Sequence, residues 1–132
     1  MHAVPIGNKG RFTLKVCPQH LASEFKDPML PPVLATPVMI MMMENAAFDA
    51  IWAYLDIDES ALGIAVDIRH LAATPVGCVV TAGAEVVQVE SRRLLFAVTA
   101  HDGFEQIGSG THERMVVDLQ HLGRRLEAKS VR

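Results

Sequence analysis

The stretch "LATPVMIMMMENAAFDAIWAYL", residues 34–55, decides how the whole chain is read. From Val38 to about Leu55 it is rich in Met, Ala, Leu and Ile and holds neither Gly nor Pro. That composition predicts a helix of about 18 residues, roughly 27 Å long. Thr36-Pro37 suits its start, because threonine can cap a helix and proline fits the first helical position. A helix apolar on almost every side cannot rest on a surface with one stripe buried. It has to be enclosed by a sheet, with its remaining side covered by something else, a second subunit being the obvious candidate.

The strands for that sheet flank the helix. Before it, "RFTLKVC" (residues 11–17) alternates Phe12, Leu14 and Val16 with Arg11, Thr13 and Lys15, the period-2 mark of a half-buried strand. After it come "ALGIAVDIRHL" (61–71), "VGCVVTAGAEVVQVE" (76–90), "RRLLFAVTAH" (92–101) and "EQIGSGTHERMVVDL" (105–119), separated by "AATP", "ESRR" and "HDGF". Their spacing predicts an antiparallel meander. One strand, one apolar helix and four strands make a single α+β domain over residues 1–132, a strongly curved sheet around a central helix. Two segments stand apart: a proline-rich, lid-like stretch over about 24–36, and a polar, helix-prone tail over 120–132. The cluster Arg124, Arg125, Lys129 and Arg132 in that tail reads as solvated surface.

Composition excludes several classes of function. Half of the 132 residues are hydrophobic, enough for a real core, and 12 basic against 15 acidic residues leave a net charge of -3. Nothing in that balance favours nucleic acid or an anionic membrane. The longest uncharged run, Pro28 to Met43, is too short for a bilayer and carries four prolines. No export signal is recognisable at the N-terminus, and Cys17 and Cys78 have no metal-type spacing. A cytoplasmic protein with two buried thiols is the expectation. His101, His112 and His121 lack a compact ligand spacing, so no metal site is expected.

Three polar residues stand in apolar company. On a helical wheel Glu44 has Pro37, Ile40, Met41, Ala47, Phe48 and Ile51 as neighbours, while Asn45, Asp49 and Asp56 mark a separate polar edge. It therefore points into the environment of the methionines, where a carboxylate is costly unless paired; the alternative is a flank residue reaching solvent. His70 continues the apolar alternation Leu62, Ile64, Val66, Ile68, and is either a hydrogen-bonded core histidine or a partner for Glu44. Thr36 is a helix cap or a third member of the group. If residues 37–44 are regular helix, Thr36 and Glu44 stand about 12 Å apart along the axis and cannot bond directly. Arg114 reads by default as an edge-strand surface residue, although the glycines of "GSGTHER" allow close backbone approach.

The blocks "LATPVMIMMMENAAF", "ALGIAVDIRHLAATPVG" and "AHDGFEQIGSGTHERMVV" resemble, in order and spacing, those of the hot-dog-fold thioesterases, and most closely the fluoroacetyl-CoA thioesterase type, over about residues 10–128. The resemblance implies a homodimer with active sites near the subunit interface, and hydrolysis of an acyl-CoA to acid and CoA, the CoA belonging to the substrate and no separate cofactor being needed. It places Thr36, Glu44 and His70 at the family's catalytic threonine, glutamate and histidine. Gly63 falls at a glycine whose amide lies near the thioester, and Arg114 at an arginine near the acyl or CoA end. The family's aromatic gate aligns with Leu30 in "FKDPMLPPVL", which makes a short or small acyl-CoA a safer expectation than fluoroacetyl-CoA. The rivals are a non-catalytic acyl-CoA-binding module and a hot-dog hydratase or dehydratase.

Overall fold

The computed structural model of the chain describes residues 1–130. Five strands form one antiparallel sheet: β1 (Lys9–Lys15), β2 (Glu59–His70), β3 (Val79–Glu90), β4 (Arg93–His101) and β5 (Gln106–Asp118). Their order is β1-β3-β4-β5-β2. Strands β3, β4 and β5 are the expected meander, but β2 pairs with β5 and not with β3. A curled sheet lets the chain cross from one edge to the other between β2 and β3, which a flat meander would forbid. The α+β expectation of one sheet around one helix holds.

Helix α1 is a single turn (Ala22–Phe25); the central helix α2 spans Thr36–Ile51 and passes into a 3-10 turn at Trp52–Tyr54, so it ends four residues before the expected Leu55. Ala35, not Thr36, occupies the N-cap, and Thr36 is already helical. Its hydroxyl is engaged elsewhere, as described below. The buried face of α2 carries Met39, Met42, Met43, Ala46, Ala47, Ala50 and Ile51, packed on Val80, Ala82, Val86, Leu94, Phe96, Val98 and Ala100 of β3 and β4. Each large side chain so enclosed contributes about 1.5–3 kcal/mol. The alanines and Gly10 bring helix and sheet together: a Cβ at Gly10 would collide with the backbone of Ala46 and Ala50.

The helix packs chiefly against β1 and β3 and only sparsely against β2 and β5. A gap therefore remains under the β2 edge. That edge is unpaired, runs for 12 residues and exposes Leu62, Ile64 and Val66. The expected alternation along β2 is interrupted, because a bulge between Gly63 and Ala65 inserts Ile64 and shifts the phase. Gly63 pairs with Arg114 and Val66 with His112, both buried. The inward set is thus Ala61, Gly63, Val66, Ile68 and His70, and Leu62 and Ile64 leave it.

The segment between α1 and α2 is tied to the β2–β3 connection by an isolated bridge of Val33 with Pro75, and to the chain before it by one of Leu21 with Leu34. The tail forms α3 (Leu119–Ala128), capped by Asp118 accepting from the His121 amide at 2.9 Å; Arg132 of the basic cluster lies outside the described residues. Cys17 and Cys78 are free and half-buried, more open than expected. Among the described residues no helix is long and apolar enough to cross a membrane.

The "HDGF" turn is built on Asp102. Its carboxylate accepts from the amides of Phe104 (2.9 Å) and Glu105 (3.0 Å) and from the Thr74 hydroxyl (3.0 Å). Burial opposes ionisation, but these hydrogen bonds outweigh it and hold the carboxyl below its ordinary 3.8. A depressed folded-state pKa means stabilisation that is complete above pH 3.8 and lost as the pH falls through the lower folded value. In thermal unfolding, Asp102→Asn is expected to have the lower Tm at neutral pH, and the gap to wild type should close on acidification below that point.

Candidate active site

Two groups of polar side chains face the gap between α2 and the β2 edge. In the first, Thr36 Oγ1 lies 2.7 Å from His70 Nδ1, which joins the first turn of α2 to the end of β2. His70 Nε2 is buried and has no hydrogen-bond partner. Burial lowers the His70 pKa, opposed in part by the Ala72 backbone, so the imidazole is neutral at neutral pH. A neutral ring beside a hydroxyl can pass a proton in either direction, depending on which nitrogen carries it. Thr36 and His70 line a cleft of about 380 Å³ whose wall includes Leu30, Val33 and Leu71. Leu30 thus shares a cleft with Thr36 and His70.

In the second group Glu44 stands across from Gly63. A Cβ built on Gly63 would lie 2.8 Å from Glu44 Oε2, 3.1 Å from His112 Cε1 and 3.8 Å from Arg114 Nη1. Only glycine leaves that space open. Glu44 is not sunk among the methionines: its side chain is 38% exposed, on a flank with Ile40, Met41 and Phe48, all at least partly exposed. Of its wheel neighbours, Ala47 and Ile51 are fully buried, whereas Ile40, Met41 and Phe48 lie on the side of the helix that the sheet leaves uncovered. Arg114 is not a surface residue either. Strand β5 lies inside the sheet, and the arginine side chain is 11% exposed.

The donors of Arg114 are directed by the backbone. Nη2 donates to the Ala61 carbonyl at 2.6 Å, and Nη1 reaches the Glu44 carbonyl at 3.5 Å and His112 Nε2 at 3.3 Å. The guanidinium lies over the Phe48 ring, 5.6 Å from its centroid. Glu44 Oε2 is 3.9 Å from Nη1, near enough for attraction and too far for a hydrogen bond. The carboxylate therefore feels a positive charge without surrendering an oxygen to it. Burial lowers the Arg114 pKa, and the Glu44 charge opposes the shift; a guanidinium remains protonated.

His112 is not legible as part of this group from sequence, where it stands only beside His101 and His121 as a histidine without metal-ligand spacing. The register supplies the signal: His112, Arg114 and Val116 alternate inward along β5. Among the described residues no group of three His, Cys, Asp or Glu side chains could hold a metal ion. Thr36 is joined to His70, and Glu44 lies against Gly63 and Arg114; Thr36 and Glu44 are eight helical positions, about 12 Å of axis, apart.

Comparison with known proteins places this arrangement. The profile of the family described as fluoroacetyl-CoA-specific thioesterase matches residues 16–120. The chain belongs to that family. The fluoroacetyl-CoA thioesterase of Streptantibioticus cattleyicolor is 46% identical over 100 residues, covering 76% of this chain and 72% of that one. A solved structure of the fluoroacetyl-CoA thioesterase FlK superposes with a TM-score of 0.92 at 36% identity, over 98% of this chain and 99% of the other. A thioesterase superfamily member from Thermus thermophilus superposes at 0.89 with 28% identity, over 98% and 97% of the two chains. These neighbours share the hot-dog fold, which is the fold of this chain. Variants of FlK have been solved with fluoroacetate, with acetyl-CoA, and with fluoroacetate and CoA together.

Proposed function

We propose that the protein hydrolyses a short or small acyl-CoA to the carboxylic acid and free CoA, with Glu44 as the reacting carboxylate. The observation that carries this reading is the opening at Gly63, where a carboxylate, a guanidinium and side-chain-free backbone meet on the uncovered flank of α2. Thioester hydrolysis needs an activated water or a nucleophile and stabilisation of the carbonyl oxygen, and its thiolate leaving group departs readily. An anionic Glu44 can deprotonate water or attack the carbonyl carbon. The backbone at Gly63 can approach the carbonyl because no side chain intervenes. His70, neutral and held by Thr36, can return a proton to the CoA sulfur. Arg114 serves the acyl end through the positive charge it places beside the Glu44 carboxylate, and no cofactor is needed beyond the CoA of the substrate.

The separation of the two groups favours a site completed by a second copy of the chain. The 12-residue β2 edge, with Leu62, Ile64 and Val66 exposed, is suited to pairing with itself. An antiparallel pairing centred on Asp67 would set Val66 opposite the partner subunit's Ile68, inward residue against inward residue, and, past the bulge at Ile64, Gly63 opposite the partner subunit's His70. We therefore read the protein as a homodimer. Its free cysteines suit a reducing cytoplasm.

Leu30 on the wall of the Thr36–His70 cleft sets the expected substrate size. In a free-thiol assay on a panel of acyl-CoAs, kcat/KM is expected to be highest for two to four acyl carbons and at least about tenfold lower for a ten-carbon chain. Hydrolysis of none of them by folded wild-type protein would overturn the function. A flat profile would remove the size limit.

A further inference from the structure

We infer that His112 is a positioning residue for this hydrolysis, a buried bracket that ties the β2 bulge at Gly63 to the arginine holding Glu44. The inference rests on the thioesterase reading and adds a residue to it. His112 Nδ1 lies 2.8 Å from the Ala65 carbonyl, at the far side of the bulge. His112 Nε2 lies 3.3 Å from Arg114 Nη1. A carbonyl can only accept and a guanidinium can only donate, so both contacts are hydrogen bonds in a single tautomer: Nδ1 carries the proton and donates, and Nε2 accepts. Protonation of the ring would set Nε2–H against the guanidinium. Burial keeps the ring neutral by lowering its pKa, with Arg114 acting in the same direction and the Ala65 backbone opposing.

The ring is also fixed from behind. It is 1% exposed and stacks on Phe96 with centroids 6.1 Å apart and an interplanar angle of 26°. Its Cε1 forms part of the floor beneath Gly63, 3.1 Å from where a Cβ would sit, beside Glu44 Oε2. One side chain thus sets the height of the Gly63 backbone through Ala65, and the place of Glu44 through Arg114. Misplacement of reacting groups by about 1 Å can cost about a hundredfold in rate. Substrate binding depends on other surfaces and should be largely unaffected.

The test compares wild type with His112→Phe, His112→Gln and His112→Asn on acetyl-CoA, measuring kcat, KM and Tm. Phenylalanine keeps the stacking on Phe96 and removes both nitrogens. It should lower kcat by about 30- to 100-fold with KM within about threefold of wild type. Glutamine can accept from Arg114 and should recover kcat to within about tenfold of wild type, whereas asparagine, too short to reach that nitrogen's position, should recover less. A folded Phe variant with kcat within about twofold of wild type overturns the inference, as does a Gln variant no faster than Asn at equal Tm. If the Phe variant does not fold, the Gln and Asn pair decides alone by the same criterion. Absence of wild-type turnover is a separate result, which strikes the thioesterase reading itself.

Discussion

Glu44→Gln is expected to lose about a thousandfold in kcat while remaining folded and binding acyl-CoA, because the amide cannot accept a proton from water or attack a carbonyl. The substitution is nearly isosteric. Glu44 stands on the uncovered flank of α2, and its carboxylate makes no short hydrogen bond whose loss would unfold the helix. A thousandfold loss corresponds to about 4 kcal/mol of transition-state stabilisation. KM should change little, since the carboxylate acts on the carbonyl carbon and not on the CoA moiety. A kinetic measurement on acetyl-CoA, with circular dichroism to confirm the fold, separates this outcome from simple instability. Loss through raised KM alone would assign Glu44 to binding and not to chemistry.

Gly10→Ala is expected to destabilise the protein strongly. The Cβ would collide with the Ala46 carbonyl and with the Ala50 amide, both in the backbone of the central helix. Backbone cannot rotate aside as a side chain can, so β1 or α2 must shift as a whole. Overpacking of this kind costs about 3 kcal/mol or more. For a domain of this size that is a drop of about 10 °C or more in Tm. The contrast is Gly123→Ala, on α3, where no atom lies within 4 Å of the added carbon. Alanine is the better helix former and meets nothing there, so that variant should melt no lower than wild type. Equal melting of the two variants would contradict the close passage of the helix across β1.

The fold was legible to the extent that periodicity and punctuation carried it. Each predicted strand matches an observed one to within a few residues, since alternation and turn signals are local properties of the chain. Strand order was not local, and nothing in residues 61–71 says that they pair with β5 in preference to β3. The bulge at Ile64 was equally invisible, because an inserted residue reads as ordinary alternation until its partner strand is known. That is why Leu62 and Ile64 were assigned to the inward face and Gly63 was not.

The site divided along the same line. Helical phase correctly grouped Glu44 with Ile40, Met41 and Phe48, but could not say that the sheet leaves this flank open. Thr36 and His70 are each ambiguous in sequence between structure and chemistry, and the 2.7 Å contact that joins them links residues 34 positions apart, which no local pattern shows. The context of Arg114 reads by default as an edge-strand surface, and only the resemblance assigns the residue to the site; with β2 outside it, β5 is interior and the arginine is buried. The place of His112 is set by two partners, Ala65 and Arg114, one of them 47 positions away in sequence, and no local pattern carries it.

The central claim, that the open flank of α2 is a hydrolytic site and not merely an acyl-CoA-binding surface, is tested most directly by following thiol release from acetyl-CoA by wild-type protein while bound acetyl-CoA is measured on the same sample. The account predicts release that continues through many turnovers until the substrate is spent. Saturable binding of acetyl-CoA with no release of thiol would contradict it.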